Sequence, residues 1–339
     1  MKTFRKILPF LLGIGLLHSC SSPSSQPVGN QEKVVIAYVT SWSKIVPNPA
    51  LITHINYAFG HVNDSFDGVR INNEERLRQM VALKEKAPHL KVLLSIGGWG
   101  SGRFSEMAEN EAYRLAFAAD CQRVVQEYQL DGIDLDWEYP TCDAAGISAS
   151  PQDTDNFTLL MRDIRLAIGK DKLLTMASVA SAKFVDFRAI LKDVDFVNIM
   201  SYDMNNAPLH HASLYRASIS GDLTCDEAVQ AHIDSGVPAE KLVLGMPFYG
   251  RGGKLLSNKN YRDIKTGSEY TEVWNDTAKV PYLINQDGVM VLGFDNPKSL
   301  AIKCEYVHEK NLLGGMYWDY AGDNDQEELA RTVYEGIMK

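Results

Sequence analysis

Basic residues, cysteines and long apolar runs are all in short supply in this chain. Lys and Arg number 34 against 43 Asp and Glu, a formal charge of -9, and the balance is more acidic still once Lys2, Arg5 and Lys6 are set apart. A chain of that charge repels phosphate backbones, which excludes nucleic acid as a partner on bulk electrostatics. Five cysteines in 339 residues, none in a Cys-x-x-Cys pair or beside clustered histidines, leave no zinc module and no metal site to expect. Cys121 and Cys304 fall in helical patterns and read as buried thiols, whereas Cys142 and Cys225 fall in loops, where an oxidising compartment permits a bridge. The glycine-rich stretch at 97–102 opens no helix in the G-x-G-x-x-G register, so a doubly wound nucleotide-binding sheet lacks its phosphate loop. No internal repeat is visible.

The apolar run at residues 7–17 is too short to span a bilayer. With its basic start and the sequence Leu17-His18-Ser19-Cys20, it resembles a bacterial lipoprotein signal over residues 1–19, with Cys20 carrying the lipid. A plain secretory leader with a coincidental cysteine is the alternative. Residues 20–31, rich in Ser and Pro, read as a flexible tether, and 32–339 as one domain. The expectation is an exported, monomeric protein anchored through Cys20 to a bacterial membrane, at the cell surface or the periplasmic face.

From residue 34 onward, eight short apolar runs alternate with helical patterns: 34–39, 55–59, 92–96, 132–136, 174–179, 196–200, 242–246 and 315–318. Strands apolar nearly throughout are buried on both faces, as in parallel sheets wrapped by helices. Amphipathic stretches lie between them at 74–86, 111–128, 153–168, 226–236, 299–309 and 327–337, with Thr224 and Asn296-Pro297 supplying helix starts. Eight strand–helix units in this length predict a (β/α)₈ barrel. Residues 252–288 form the longest connection, with a hairpin expected at 280–290 around Gln286-Asp287-Gly288.

One strand carries acids. In the segment from Asp131 to Pro140, side-chain alternation puts Asp134, Asp136 and Glu138 on one face and Ile133, Leu135 and Trp137 on the other. The apolar set faces the helices, so the acids line the barrel toward its C-terminal rim, where sites of this architecture sit. Carboxylates two residues apart, roughly 7 Å along the strand, cannot all ionise at ordinary values when partly desolvated. One should hold a proton at neutral pH, which is what an acid catalyst requires. A divalent-metal site on the same acids is the rival reading, and an exposed acidic strand conflicts with the apolar residues between them.

The run Asp131-Gly132-Ile133-Asp134-Leu135-Asp136-Trp137-Glu138 resembles the D-G-x-D-x-D-x-E signature of the glycoside hydrolase family 18 chitinases. The resemblance extends through Ser95-Ile96-Gly97-Gly98-Trp99, the second run with Phe59, Met200-Ser201-Tyr202-Asp203, Pro247-Phe248-Tyr249-Gly250-Arg251 and Gly314-Gly315-Met316-Tyr317-Trp318, in the family's order. It implies the (β/α)₈ barrel already expected and an enzyme cleaving β-1,4-linked N-acetylglucosamine glycans with retention, through an oxazolinium intermediate and without cofactor; the chain departs from many members in that Arg251 to Asn275 is too short for their full α+β insertion. It further implies Glu138 as general acid and base, Asp136 orienting the acetamido nucleophile, Asp134 exchanging a proton beneath it, and Tyr202 bonding the acetamido oxygen. Trp318 would floor the sugar and Asp203 hold it distorted, with Tyr38, Phe59, Trp99, Tyr139, Met200, Tyr249 and Arg251 completing the walls. Too short an insertion to deepen the groove implies a shallow, open cleft. An endo-β-N-acetylglucosaminidase acting on N-glycans and a non-catalytic glycan-binding protein are the alternatives. His210 and His211 read as exposed loop residues outside the site, and Trp274 either lines a subsite or packs the long connection.

Overall fold

The computed structural model describes Met1 and residues 32–339; the rest of the leader, Cys20 and the whole tether lie outside the described residues. Among the described residues fourteen strands run in chain order as β1 Val34–Thr40, β2 His54–Val62, β3 Val69–Ile71, β4 Lys91–Gly97, β5 Gly132–Asp136, β6 Leu173–Val179, β7 Phe196–Met200, β8 Leu242–Pro247, β9 Tyr249–Gly252, β10 Lys259–Asn260, β11 Thr271–Asn275, β12 Val280–Ile284, β13 Met290–Gly293 and β14 Gly314–Trp318. Eight of them, in the order β1-β14-β8-β7-β6-β5-β4-β2, pair in parallel, and β1 pairs with β2 to close the ring. The expected (β/α)₈ barrel is therefore present.

Helices α1 Glu74–Ala82, α2 Phe104–Glu109, α3 Glu111–Glu127, α4 Asp153–Ile168, α5 Phe187–Ile190, α6 Cys225–Asp234, α7 Pro297–Glu309 and α8 Glu328–Ile337 surround it. Thr224 caps α6 reciprocally with Glu227, and Asn296 caps α7 with Pro297 in the first turn, as their sequence predicts. The short helices α2 and α5 have too few residues to show a period in the sequence.

Strand alternation sorts the core into two layers. Ile133, Leu135 and Trp137 join the large cluster between strands and helices, with Trp137 stacked on Phe104 at 5.2 Å. Ile36, Tyr38, Val243 and Met316 form a smaller cluster inside the barrel. The same alternation turns Asp134 and Asp136 inward.

The long connection holds more than a hairpin. Strands β9 to β13 form a five-stranded antiparallel sheet in the order β10-β9-β13-β12-β11, with one 3-10 turn at Tyr261–Asp263 and no α-helix. The anticipated β12–β13 hairpin is its centre, and β11 and β9 extend it on either side. Trp274, half-buried on β11, takes the Lys298 ammonium on its face at 3.7 Å, so it packs this sheet and does not line the barrel cavity.

Two further expectations change. Cys225 is the first residue of α6, not a loop residue, and is buried with its Sγ 3.4 Å from the Ser201 carbonyl. It and Cys142 are both free, so the permitted bridge is not formed.

Candidate active site

At the C-terminal ends of the strands a cavity of about 980 Å³ opens, lined among others by Asp136, Glu138, Tyr202, Asp203 and Trp318. Two glycines at the end of β4 shape its wall. A Cβ on Gly97, at φ +133°, would stand 1.9 Å from the Asp136 carbonyl oxygen, and one on Gly98 would lie 2.6 Å from the Phe59 ring. Only glycine lets these strands approach so closely.

Asp134, fully buried, accepts four hydrogen bonds. Tyr38 Oη (2.9 Å) and Ser95 Oγ (2.8 Å) donate to Oδ2, and Thr175 Oγ1 (2.6 Å) and Asn198 Nδ2 (3.2 Å) donate to Oδ1. Asp136 is nearly as buried, at 4% exposure, yet its Oδ1 has no hydrogen-bond partner among the described residues. Burial, then the charges of Glu138 and Asp134, pushes the Asp136 carboxyl well above the ordinary range. Burial also pushes Asp134 up, but all four donors oppose it. Of the two, Asp136 is the one whose rise no hydrogen-bond donor opposes.

Glu138 follows the end of β5 and is pushed up to about 7 by burial, with Tyr139 opposing and Asp203 adding to the rise. A carboxyl so placed is half protonated near neutrality and has the acidity a general acid needs there. Tyr202 is buried, its hydroxyl 3.9 Å from Met316 Sδ, and burial and then the surrounding acids keep it a neutral donor.

Asp203 adopts the left-handed region at φ +57°, which Asp tolerates better than most residues. Its Oδ1 accepts from Tyr249 Oη at 2.6 Å, and its Oδ2 pairs with Arg251 Nη1 at 2.6 Å. Arg251 is anchored in turn on Asn206 Oδ1 at 2.7 Å.

Aromatic rings frame the opening. Trp318 stacks on Phe59 at 5.6 Å and tilts against Tyr38 at 5.7 Å, while Trp99 meets Tyr139 edge-on at 6.3 Å. Trp99 is 64% exposed, a large apolar face turned outward at the cavity mouth.

Of the residues singled out in the sequence, Tyr38, Phe59, Trp99, Asp136, Glu138, Tyr139, Met200, Tyr202, Asp203, Arg251 and Trp318 reach the cavity wall. Asp134 lies beneath it, and Tyr249 stands behind Asp203. His210 and His211 are both 1% exposed, contrary to the loop expectation, because the loop carrying them folds inward under the insertion sheet. Sequence reading missed the donors Thr175 and Asn198, each a polar interruption of an apolar strand on its inward face, and Met204, Asp222 and Leu223 at the wall. Among the described residues no group of three or more His, Cys, Asp and Glu converges as metal ligands would.

A closed parallel barrel with a stack of buried acids under an aromatic-rimmed cleft is the architecture of a carbohydrate-cleaving barrel. Comparison with known proteins narrows the class. Residues 34–323 match the family model Glycosyl hydrolases family 18, and the chain belongs to that family. It is 32% identical to chitinase A1 of Niallia circulans over 95% of this chain, and it spans 62% of that protein's length. A solved family 18 N-acetylglucosaminidase from Paenibacillus barengoltzii superposes with a TM-score of 0.83 at 34% identity, covering 90% of this chain and all (100%) of that one. A chitinase from Bacillus thuringiensis gives 0.82 at 26% identity, over 91% of this chain and 70% of that one.

Proposed function

We propose that this chain hydrolyses β-1,4-linked N-acetylglucosamine chains, chitin or its oligosaccharides, by substrate-assisted catalysis with retained configuration. The observation that carries the reading is the acid row, in which Glu138 sits near neutrality at the cavity and Asp136 Oδ1 below it lacks a partner among the described residues. Glu138 gives its proton to the glycosidic oxygen as the bond from that oxygen to the anomeric carbon breaks. The carbonyl oxygen of the substrate's own 2-acetamido group bonds to that carbon, forming the oxazolinium. Asp136 turns toward Glu138 and the acetamido N–H, and Tyr202 donates to the acetamido oxygen, so charge develops against groups already in place. Water then attacks the anomeric carbon and returns a proton to Glu138, opening the ring.

Trp318 is the floor on which the reacting sugar rests, and Trp99 and Tyr139 receive its neighbours. The insertion sheet contributes only Arg251 to the cavity wall, which supports a shallow cleft open to short or branched chains. The Cys20 motif supports an exported, lipid-anchored enzyme; a clickable fatty-acid label lost in Cys20→Ser tests the anchor.

The deciding experiment is mass spectrometry of products after incubating the leaderless protein with chitohexaose and, separately, an N-glycosylated protein. Cleavage of chitohexaose to short oligosaccharides or to monosaccharide is expected. Release of N-glycans alone would move the function to an N-glycan endoglycosidase, and glycan binding without turnover would make it a binding protein.

A further inference from the structure

Two buried histidines beside the site take no part in this scheme. His210 is tied away from it, with Nε2 3.0 Å from the Asn275 amide and its ring edge-on to Tyr282 at 5.4 Å. His211 faces the site. Its ring packs on Tyr249 at 5.4 Å, and a Cβ at Gly293 would stand 3.7 Å from its Cδ2. Its carbonyl accepts from the Met204 N–H at 3.1 Å, pinning it to the strand end that carries Asp203.

One nitrogen of that ring confronts two groups of the same residue. The Asp203 backbone N–H lies 3.4 Å from Nδ1, and Asp203 Oδ1 lies 3.7 Å from it. An unprotonated Nδ1 accepts from the N–H; a protonated one donates to the carboxylate, and it cannot do both. Nε2 has no hydrogen-bond partner among the described residues, so nothing on the far side of the ring fixes the tautomer.

We propose that His211 is a positioning residue for Asp203, its Nδ1 exchanging between the backbone N–H and the carboxylate and so setting whether Asp203 is held back or turned toward the sugar at Glu138. The inference rests on reading Glu138 as the acid. Other charges reach His211 through few routes. Arg251 and Tyr249 of β9 share Asp203 with it, His210 is its chain neighbour, and Lys303 of α7, paired with Asp295 at 2.6 Å, donates to the adjoining Ala212 carbonyl. Desolvation in the cavity pushes Asp203 up, but His211, Tyr249 and Arg251 outweigh it and hold the carboxyl below the usual range. Asp203 in turn adds to the rise at Glu138. The imidazole thus reaches the acid through one intermediate carboxylate.

The substitution His211→Phe keeps ring and volume and removes both nitrogens. Turnover should fall about tenfold with KM changed less than about twofold, and the acid limb of the kcat/KM profile should move to higher pH. His211→Asn, whose amide restores a donor and an acceptor, should recover most of the loss. Nitrogen NMR of histidine-labelled protein supplies a readout independent of turnover: the His211 ring shifts should change in Asp203→Asn. An unaltered rate and profile in His211→Phe, an Asn variant as impaired as the Phe variant, or ring shifts indifferent to Asp203→Asn would each overturn the proposal. If the wild-type protein cleaves no glycan, the functional reading fails by itself, and the ring's response to Asp203→Asn still decides this one.

Discussion

Asp134 and Asp136 are the same residue on the same face of β5, two positions apart and similarly buried, yet they live in opposite surroundings. The lower one meets four donors from the barrel interior, and the upper one meets none among the described residues. Burial alone would push both up alike. The donors, not the depth, set the two apart: they oppose the rise at Asp134 and leave the rise at Asp136 unopposed.

The contrast can be sharpened from its upper end. Glu138→Gln, which removes the transferable proton but little volume, should lower kcat by about a thousandfold while leaving oligosaccharide binding intact; wild-type turnover would remove Glu138 from the mechanism. Asp136→Asn should lower kcat by about a hundredfold, and because the carboxyl it replaces is unpartnered, the urea midpoint should hold or rise. Asp134→Ala strands four buried donors and should cost about 3 kcal/mol in urea unfolding. Equal destabilisation by the two aspartate substitutions would break the comparison.

A smaller effect follows from pH. Glu138 must carry a proton to act as acid, so kcat/KM should decline as pH rises through about 7. Its folded value lies above its unfolded one, so its contribution to stability is complete below the ordinary carboxylate range and is lost as pH rises to about 7. Between those limits Glu138→Gln should lose less stability with pH than the wild-type protein. The smallest effect is expected of Tyr38→Phe, which removes one of the four donors to Asp134 and should cost about 1 kcal/mol.

The barrel and the acid row were legible because both rest on alternation. Ile133, Leu135 and Trp137 must bury against helices, which leaves the acids one direction to face. By the same rule Thr175 and Asn198 point inward, and asking what polar groups an apolar strand tolerates there would have found them. The insertion sheet was only half visible. Thr271–Asn275 and Lys259–Asn260 are short and partly exposed, and they become strands through pairing with distant partners. His211 was illegible for another reason: its adjacency to His210 says nothing of the sheet that folds over both.

The four groups that reach Asp134 come from β1, β4, β6 and β7, while Asp134 itself belongs to β5. One carboxylate therefore ties five of the eight staves of the barrel across its bore, just beneath the level of Asp136 and Glu138. Like the hub of a spoked wheel, it fixes the diameter at that height, so the strand ends carrying the reacting groups have a common origin from which their spacing is measured.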